Sequence, residues 1–101
     1  SMVTLKDEID YLKKYDSIQR YRYEDKYILY YEYEKELESI PIMRLILQPL
    51  IENSLYHGIK PLEGSGFIKL RIVRRGGHLI FSVIDSGVGM EKQISKNCMK
   101  R

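Results

Sequence analysis

The hydrophobic positions of this chain change their spacing from one segment to the next. Between Leu5 and Tyr23 they recur every three or four residues, which predicts an amphipathic helix. Thr4 and Asp7, at the start of this segment, have the spacing of a capping box. Tyr27–Tyr33 is instead rich in tyrosine, isoleucine and leucine, which predicts a strand.

A second helix is predicted from Pro41 to His57. The charged stretch Lys35–Ser39 before it is typical of a loop, and proline suits the first turn of a helix. Gly58 is expected to end the helix, and Pro49 inside it, which lacks a backbone donor, is expected to kink it. At 100° per residue the apolar arc of this helix consists of Met43, Ile46, Leu47, Leu50 and Ile51.

Two strands joined by Gly76-Gly77 are the sharpest local prediction. Both glycines can take positive φ, so Phe67–Arg75 and His78–Asp85 form a hairpin after the glycine-containing loop 58–66. A two-residue turn pairs Arg75 with His78, Ile72 with Phe81, Leu70 with Val83 and Ile68 with Asp85. One face is then apolar: Ile68, Leu70, Ile72, Leu79, Phe81 and Val83. This pattern predicts an α+β fold with helices packed on one face of a mainly antiparallel sheet.

Composition narrows the class of protein. The 101 residues suit one domain, residues 1–101, although Ser1-Met2 is consistent with a tag remnant and is left out of the fold prediction. No apolar run has the length of a membrane span, and no secretory signal is present. The single cysteine, Cys98, excludes an internal disulfide and a cysteine zinc cluster. A net charge of +3 is too mild to indicate nucleic-acid binding, and the basic end Lys96–Arg101 is typical of a solvated tail.

Asp85 is the first candidate for chemistry, because strand parity places it on the apolar face. A buried carboxylate costs several kcal/mol unless a donor meets it. Asp85 could cap the following loop or pair with a basic side chain, or it could accept from a ligand donor such as an exocyclic amine. Gly87 and Gly89 follow it, and glycine lets the backbone approach a flat ligand closely.

Polar residues on the second helix are the other candidates. Asn53 and His57 are i, i+4 neighbours at the edge of the apolar arc, with Glu52 further out. An amide oxygen suits Mg²⁺ that bridges phosphates, and a carboxylate can orient or deprotonate a nucleophile. Taken one at a time, these residues are more typical of an ordinary helix end than of a binding site. Zinc is not indicated, because His57 and His78 are the only histidines and no cysteine lies near them.

Three stretches together resemble the ATP-binding domain of bacterial sensor histidine kinases, of the LytS/YesM type within the GHKL ATPase superfamily. They are LKDEIDYLKKYDSIQRYRYEDKY, IPIMRLILQPLIENSLYHGI and VIDSGVGM. The second is similar to the N box of that family and the third to its first glycine box, with a hairpin between them. The resemblance runs from Val3 to about Met90 and implies an incomplete ATPase-type α/β sandwich.

The resemblance implies a role for each matching residue. Glu52 would polarise the phospho-acceptor histidine, and Asn53 would bind Mg²⁺ on the ATP phosphates. On the adenine side, Asp85 would accept from the amino group, Gly87 and Gly89 would allow close approach, and Met90 would begin the ATP lid. His57 and Gly58 would complete the N box near the phosphates. The family often has lysine where Tyr56 stands, and Lys60 is the expected substitute for that phosphate contact.

The activity that the resemblance implies is transfer of the ATP γ-phosphate to a histidine, for relay to a response regulator. The second glycine box and the phospho-acceptor histidine are not found in this chain, so it looks like about the first two-thirds of a catalytic domain. We expect weak activity or none from it alone, within a homodimeric, membrane-anchored parent whose cytoplasmic part includes this segment. Two rivals stay open: another ATPase of the superfamily, in which Glu52 activates water, and a non-catalytic interaction module with the same fold.

Overall fold

The computed structural model describes residues 2–44, 47–87 and, as backbone only, 91–97. In chain order the elements are β1 (Met2–Thr4), α1 (Leu5–Arg22), β2 (Tyr27–Glu32), a 3-10 helix (Lys35–Ser39), β3 (Pro41–Met43), α2 (Gln48–Ser54), a π-helical turn (Leu55–Ile59), β4 (Gly66–Arg75), β5 (His78–Asp85) and β6 (Glu91–Asn97). Over these residues, none of the helices has the length and apolar character needed to cross a membrane.

Helix α1 begins with the predicted capping box. The Asp7 amide donates to the Thr4 hydroxyl at 3.2 Å, and the Thr4 amide donates to the Asp7 carboxylate at 3.1 Å. These two bonds satisfy backbone donors that the first turn of a helix leaves without partners. The helix ends in a tight turn in which Glu24 and Asp25 both have positive φ. One stripe of α1 is buried: Leu5, Glu8, Ile9 and Leu12.

The main sheet has the strand order β2-β4-β5-β6 and is mainly antiparallel, as predicted. Only β2 and β4 are parallel. The hairpin register is confirmed pair by pair, from Arg75 opposite His78 to Ile68 opposite Asp85. A second, two-stranded sheet pairs β1 with β3 and places Met2 opposite Met43, so the residue set aside as a tag remnant takes part in the fold.

Both α-helices pack on one face of the main sheet, which confirms the α+β prediction. Helix α1 contacts β2, and α2 contacts β5. The predicted apolar face of the hairpin is almost completely buried, whereas Ile28 and Tyr30 on the opposite face of β2 are about half exposed. On that outer face the Glu32 carboxylate lies 3.2 Å from Lys69 and 3.6 Å from Arg71. The core therefore lies between the helices and a single sheet face.

The predicted helix 41–57 is wrong in its first half. Pro41–Met43 is strand β3, and α2 begins only at Gln48. Pro49 therefore lies in the first turn of α2, where its missing amide is not needed, rather than at a mid-helix kink. Gly58 does not end the helix but lies inside the π-helical turn, and Lys35–Ser39 is a 3-10 helix rather than a loop.

The predicted apolar arc is also wrong in part, because its first residues are not helical. Met43 is exposed on β3, and Ile46 lies outside the described residues. The parts of the arc that survive are Leu47 and Ile51, which are buried, and Leu50, which packs against the core from a half-buried position.

Candidate functional site

The end of β5 is held firmly against the start of β4. The Ser86 amide donates to the Phe67 carbonyl at 3.0 Å, and the Phe67 amide donates to the Ser86 hydroxyl at 2.9 Å. Gly66 lies under this hydroxyl, because a Cβ at Gly66 would come within 2.7 Å of it. Asp85, the last residue of β5, is therefore fixed in position and only 8% exposed.

Two glycines close around the Asp85 carboxylate. A Cβ at Gly58 would lie 2.6 Å from the Asp85 Cγ, and a Cβ at Gly87 would lie 2.6 Å from the Gly58 Cα. Real Cβ atoms do not make contacts this short, so neither position has room for a side chain. We call Gly58, Asp85 and Gly87 the glycine contact; it brings the backbone after α2 directly against the backbone after β5.

A cleft of about 210 Å³ opens beside the glycine contact. The residues that line it are His57, Gly58, Pro61, Leu62 and Gly87. Binding sites for whole small molecules usually have about 300–1,000 Å³, so the described part of this cleft suits one planar ring. Its walls offer an apolar surface from Pro61 and Leu62 and exposed backbone at Gly87.

The Asp85 carboxylate takes part in the turn that follows it. The Gly87 amide donates to Asp85 Oδ1 at 2.9 Å. This bond agrees with the interpretation of Asp85 as a loop cap. The Gly87 amide is one partner of this carboxylate, and a carboxylate offers about four acceptor sites on its two oxygens. The geometry is therefore compatible with both interpretations of this residue.

Away from the glycine contact, Glu52 lies on α2 and faces α1. The side-chain amide of Gln48 donates to Glu52 Oε2 at 3.3 Å, one helical turn away. Tyr15 of α1 is the second neighbour: burial raises its pKa, and the negative charge of Glu52 and a hydrogen bond to it raise the pKa further. We call Tyr15, Gln48 and Glu52 the α1–α2 contact. It consists of long side chains, in contrast to the backbone atoms of the glycine contact.

A positive charge lies beside Tyr56, at the position where lysine is common in the resembled family. The Lys60 ammonium is 4.9 Å from the centre of the Tyr56 ring, a cation–π distance. The same ring meets His57 edge-on, with 4.9 Å between ring centres. Lys26 donates to the Lys60 carbonyl at 3.0 Å and so anchors the end of this turn.

The predicted site residues divide into groups. His57, Gly58 and Gly87 line the cleft, Asp85 packs against Gly58, and Lys60 lies over Tyr56. Asn53 is half-buried on α2 beside Glu52, which faces α1. Gly89 and Met90 lie outside the described residues. Over the described ranges, no three histidine, cysteine or acidic residues come together to hold a metal, so Mg²⁺ at Asn53 would also need ligand oxygens.

Sequence reasoning missed four residues that contribute to these two regions. Pro61 and Leu62 line the cleft from a loop with no regular pattern, so nothing in the sequence marked them. Tyr15 and Gln48 carried a signal: Tyr15 continues the apolar stripe of α1, and Gln48 precedes Glu52 by four residues. Their meeting could not be predicted, because it depends on how α1 and α2 pack.

No family model matches the chain. It is 30% identical over 92 residues to the sensor histidine kinase YpdA of Escherichia coli (strain K12), covering 91% of this chain and 16% of that protein. It is 30% identical over 93 residues to the sensor histidine kinase YesM of Bacillus subtilis (strain 168), covering 92% and 16%. It is 35% identical over 88 residues to the sensor protein kinase HptS of Staphylococcus aureus (strain USA300), covering 87% and 17%. The chain thus spans about one sixth of the length of these curated relatives, and it is related to the sensor histidine kinases over that part.

Proposed function

We propose that this chain is the ATP-binding segment of a sensor histidine kinase, the family to which its relatives belong. The observation that carries the proposal is the glycine contact. It packs a nearly buried carboxylate, Asp85, against Gly58, and Gly58 and Gly87 line a small cleft where two backbone segments meet without side chains. An acceptor in such a place recognises a planar ligand that brings its own hydrogen-bond donor.

The base of ATP is the ligand part that fits this end of the site. Adenine is planar, and its exocyclic amino group is a donor for the Asp85 carboxylate. Gly87 presents exposed backbone without a side chain to the ring, and Leu62 and Pro61 cover an apolar face. Gly89 would extend this close approach, and Met90 would begin a lid over the ligand.

The phosphates would then lie along α2 and the π-helical turn. Asn53 supplies a neutral amide oxygen, and His57 and Lys60 supply donors on the exposed side of the turn. Asn53 would help to hold Mg²⁺, which would supply neutralisation of the charge that develops during transfer. The side chains of this chain hold the nucleotide in line with the acceptor, which supplies most of the rate enhancement in phosphoryl transfer.

Glu52 is the proposed acid–base residue. One imidazole nitrogen of an acceptor histidine forms a bond to the γ-phosphorus, and the bond from that phosphorus to the β–γ bridging oxygen breaks to release ADP. The proton on the other imidazole nitrogen is donated in a hydrogen bond to Glu52, which makes the attacking nitrogen more nucleophilic. The exposed position of Glu52 on α2 leaves it accessible to a histidine from outside this chain.

The rest of the pathway is also proposed. The phosphohistidine would pass its phosphoryl group to an aspartate of a response regulator. The protein would be a homodimer anchored in a bacterial membrane, with this segment in the cytoplasm and without membrane contact of its own. The relatives, which are about six times longer, leave room for the acceptor histidine and a sensor region.

One observation favours a second candidate, an interaction module that keeps the fold without nucleotide. Asp85 already caps the turn to Gly87, so its carboxylate has a structural use in the absence of a ligand. In that case Asp85 would matter for folding only, and the cleft would have no preference among bases.

Nucleotide discrimination in the full-length protein separates the two candidates. ATP and inosine triphosphate differ at the position of the 6-amino group. Calorimetry should show that ATP binds more tightly, by roughly tenfold for one hydrogen bond to a charged group. Asp85→Asn should remove most of this preference. Asp25→Asn, an exposed position with positive φ that asparagine tolerates, is the control. A folded protein that binds neither nucleotide would contradict the kinase proposal.

A further inference from the structure

Lys26, which directly precedes β2, holds both ends of the loop that follows the π-helical turn. Its ammonium donates to the Lys60 carbonyl at 3.0 Å, and its own carbonyl accepts from the Gly66 amide at 2.9 Å. Lys60 follows the π-helical turn and Gly66 begins β4, so the loop between them connects these two elements. One residue of a third segment therefore contacts the loop where it starts and where it ends.

The two bonds of Lys26 have different requirements. The bond from Gly66 extends the parallel ladder of β2 and β4, in which Tyr27 lies opposite Gly66. It uses the backbone, so any residue at position 26 could accept it. The bond to the Lys60 carbonyl instead requires a long side chain that ends in a donor. The last carbonyls of a helix lack partners within the helix, and a cation is favourable at that end.

The first part of this loop forms one wall of the nucleotide cleft. Pro61 and Leu62 directly follow Lys60, and both line the cleft. The Leu62 amide donates to the Ile59 carbonyl at 3.0 Å, which joins the wall to the end of the π-helical turn. At the other end of the loop, a Cβ at Gly66 would lie 2.7 Å from Leu62 Cδ2. The wall is thus seated between the two points that Lys26 holds.

The tip of the loop contributes little to keeping this wall in place. Glu63, Gly64 and Ser65 are all exposed, and the space around the Cβ position of Gly64 is open. Exposed segments with few contacts open at a low free-energy cost. Loss of the ammonium bond should consequently allow the Pro61–Leu62 wall to move while β2 and β4 stay paired.

We propose that Lys26 is a positioning residue that fixes the Pro61–Leu62 wall of the nucleotide cleft. This inference rests on the proposed function, because it gives the wall a base to cover. It adds that nucleotide affinity depends on a half-buried lysine that is not among the residues lining the described cleft. The wall covers a ring face and does not meet the 6-amino group, so Lys26 should matter equally for adenine and hypoxanthine.

Nucleotide binding by the full-length protein tests the proposal. Lys26→Met retains a long side chain without the donor and should raise the Kd for ATP about three- to tenfold. The Kd for inosine triphosphate should rise by the same factor. At saturating ATP, kcat should stay unchanged, because the wall binds the base equally in the ground state and the transition state.

Two further variants show whether the donor is responsible. Lys26→Arg retains a long cationic donor and should recover most of the affinity for ATP. Lys14→Met removes an exposed lysine of α1 and is the matched control for the loss of one positive charge. It should leave both Kd values unchanged.

An unchanged Kd for ATP in Lys26→Met would overturn the proposal. Equal losses in Lys26→Met and Lys26→Arg would also overturn it, because the donor would then be irrelevant. A loss for ATP without a loss for inosine triphosphate would overturn it as well, since Lys26 would then act through the 6-amino group rather than through the wall.

Amide hydrogen exchange gives a second readout that needs no nucleotide. In Lys26→Met the Leu62 amide should exchange about tenfold faster, because the charge-assisted bond that holds this end of the loop is lost. The Gly66 amide should keep its rate, since its acceptor is the backbone of residue 26. Equal acceleration at both amides would overturn the proposal, because the lysine would then act through folding alone.

Failure of the proposed function would look different from failure of this inference. The unsubstituted protein would then not bind ATP, while the Leu62 amide would still respond to Lys26→Met.

Discussion

The glycine contact, which follows α2, and the α1–α2 contact, which lies on α2, are formed by different kinds of atoms. The glycine contact consists of backbone atoms and one short side chain, packed so closely that a methyl group cannot enter. The α1–α2 contact consists of a phenol, an amide and a carboxylate on flexible stems, beside a cavity of about 460 Å³. The glycine contact therefore has a single allowed arrangement, whereas the side chains of the α1–α2 contact can change conformation.

This difference matches the two tasks that we propose for the helix. Recognition of a flat base requires a fixed acceptor and a fixed distance between two backbone segments, which close packing supplies. Proton exchange with a histidine from another part of the protein requires a carboxylate that is oriented but still reachable. Substitutions in the glycine contact should accordingly have large effects, and substitutions in the α1–α2 contact should have smaller ones.

The largest effect is expected at Gly87. A Cβ there would meet the Gly58 backbone, which cannot move aside, so Gly87→Ala should lower the free energy of unfolding by about 3 kcal/mol. Gly58→Ala should cost less, because its Cβ meets the Asp85 side chain rather than backbone. Urea denaturation monitored by circular dichroism gives both values.

Gly64→Ala is the control for these substitutions. Gly64 has a φ of 86° and open space around its Cβ position, so alanine there should cost only the backbone strain, about 1 kcal/mol. Equal losses for Gly64→Ala and Gly87→Ala would show that the glycine contact is no tighter than an ordinary turn.

The next-largest effect is expected on ATP affinity, which should depend on Asp85 but not on Glu52. Asp85→Asn should raise the Kd for ATP about tenfold or more, since it removes a charged acceptor from the base. Glu52→Gln should abolish most phosphoryl transfer and leave this Kd unchanged, because we propose that Glu52 contacts the histidine and not the nucleotide. Isothermal titration of the full-length variants measures both. A rise in Kd for Glu52→Gln as large as that for Asp85→Asn would remove the proposed division of labour.

High pH should lower the free energy of unfolding through the partly buried tyrosines, which include Tyr15 and Tyr33. Burial raises the pKa of Tyr15, and burial with a hydrogen bond to Glu38 raises the pKa of Tyr33 to about 12. The unfolded chain loses these protons near pH 10 while the folded chain retains them, so stability is fully present below pH 10 and falls as the pH rises further.

Urea midpoints from pH 8 to pH 12 should show this decline. Tyr15→Phe should have a shallower decline than the unsubstituted chain. In amide spectra collected over the same range, signals of α1 should broaden before that of Gly87. The opposite order would mean that the glycine side is the weaker one.

The hairpin was predictable because its register depends on local rules alone. A two-residue glycine turn sets one pair, Arg75 with His78, and alternation then sets every other pair through to Asp85. The burial of Asp85 followed from the same counting. The capping box of α1 is equally local, since Thr4 and Asp7 are three residues apart.

The segment before α2 was not predictable for the opposite reason. Pro41–Met43 has a composition that suits either a helix start or a strand, and its pairing with Met2–Thr4 is a long-range contact. The same limitation applies to the meeting of Gly58 with Gly87 and of Tyr15 with Glu52. Sequence periodicity identifies which residues face inward, but not which of them touch across elements.

The smallest expected effect comes from the helix cap. Thr4→Ala removes the bond from the Asp7 amide at 3.2 Å and should lower the free energy of unfolding by about 1 kcal/mol. Ser17→Ala, on the exposed side of the same helix, removes a bond of Ser17 to the Lys13 carbonyl that helices do not need, and should change stability little. The cap bonds lie in the first turn of α1, so hydrogen exchange through local opening should accelerate at Tyr15 and remain unchanged at Gly87. Equal acceleration at both amides would mean that the glycine contact and the α1–α2 contact unfold as one unit. The contrast between the two contacts would then hold for chemistry but not for stability.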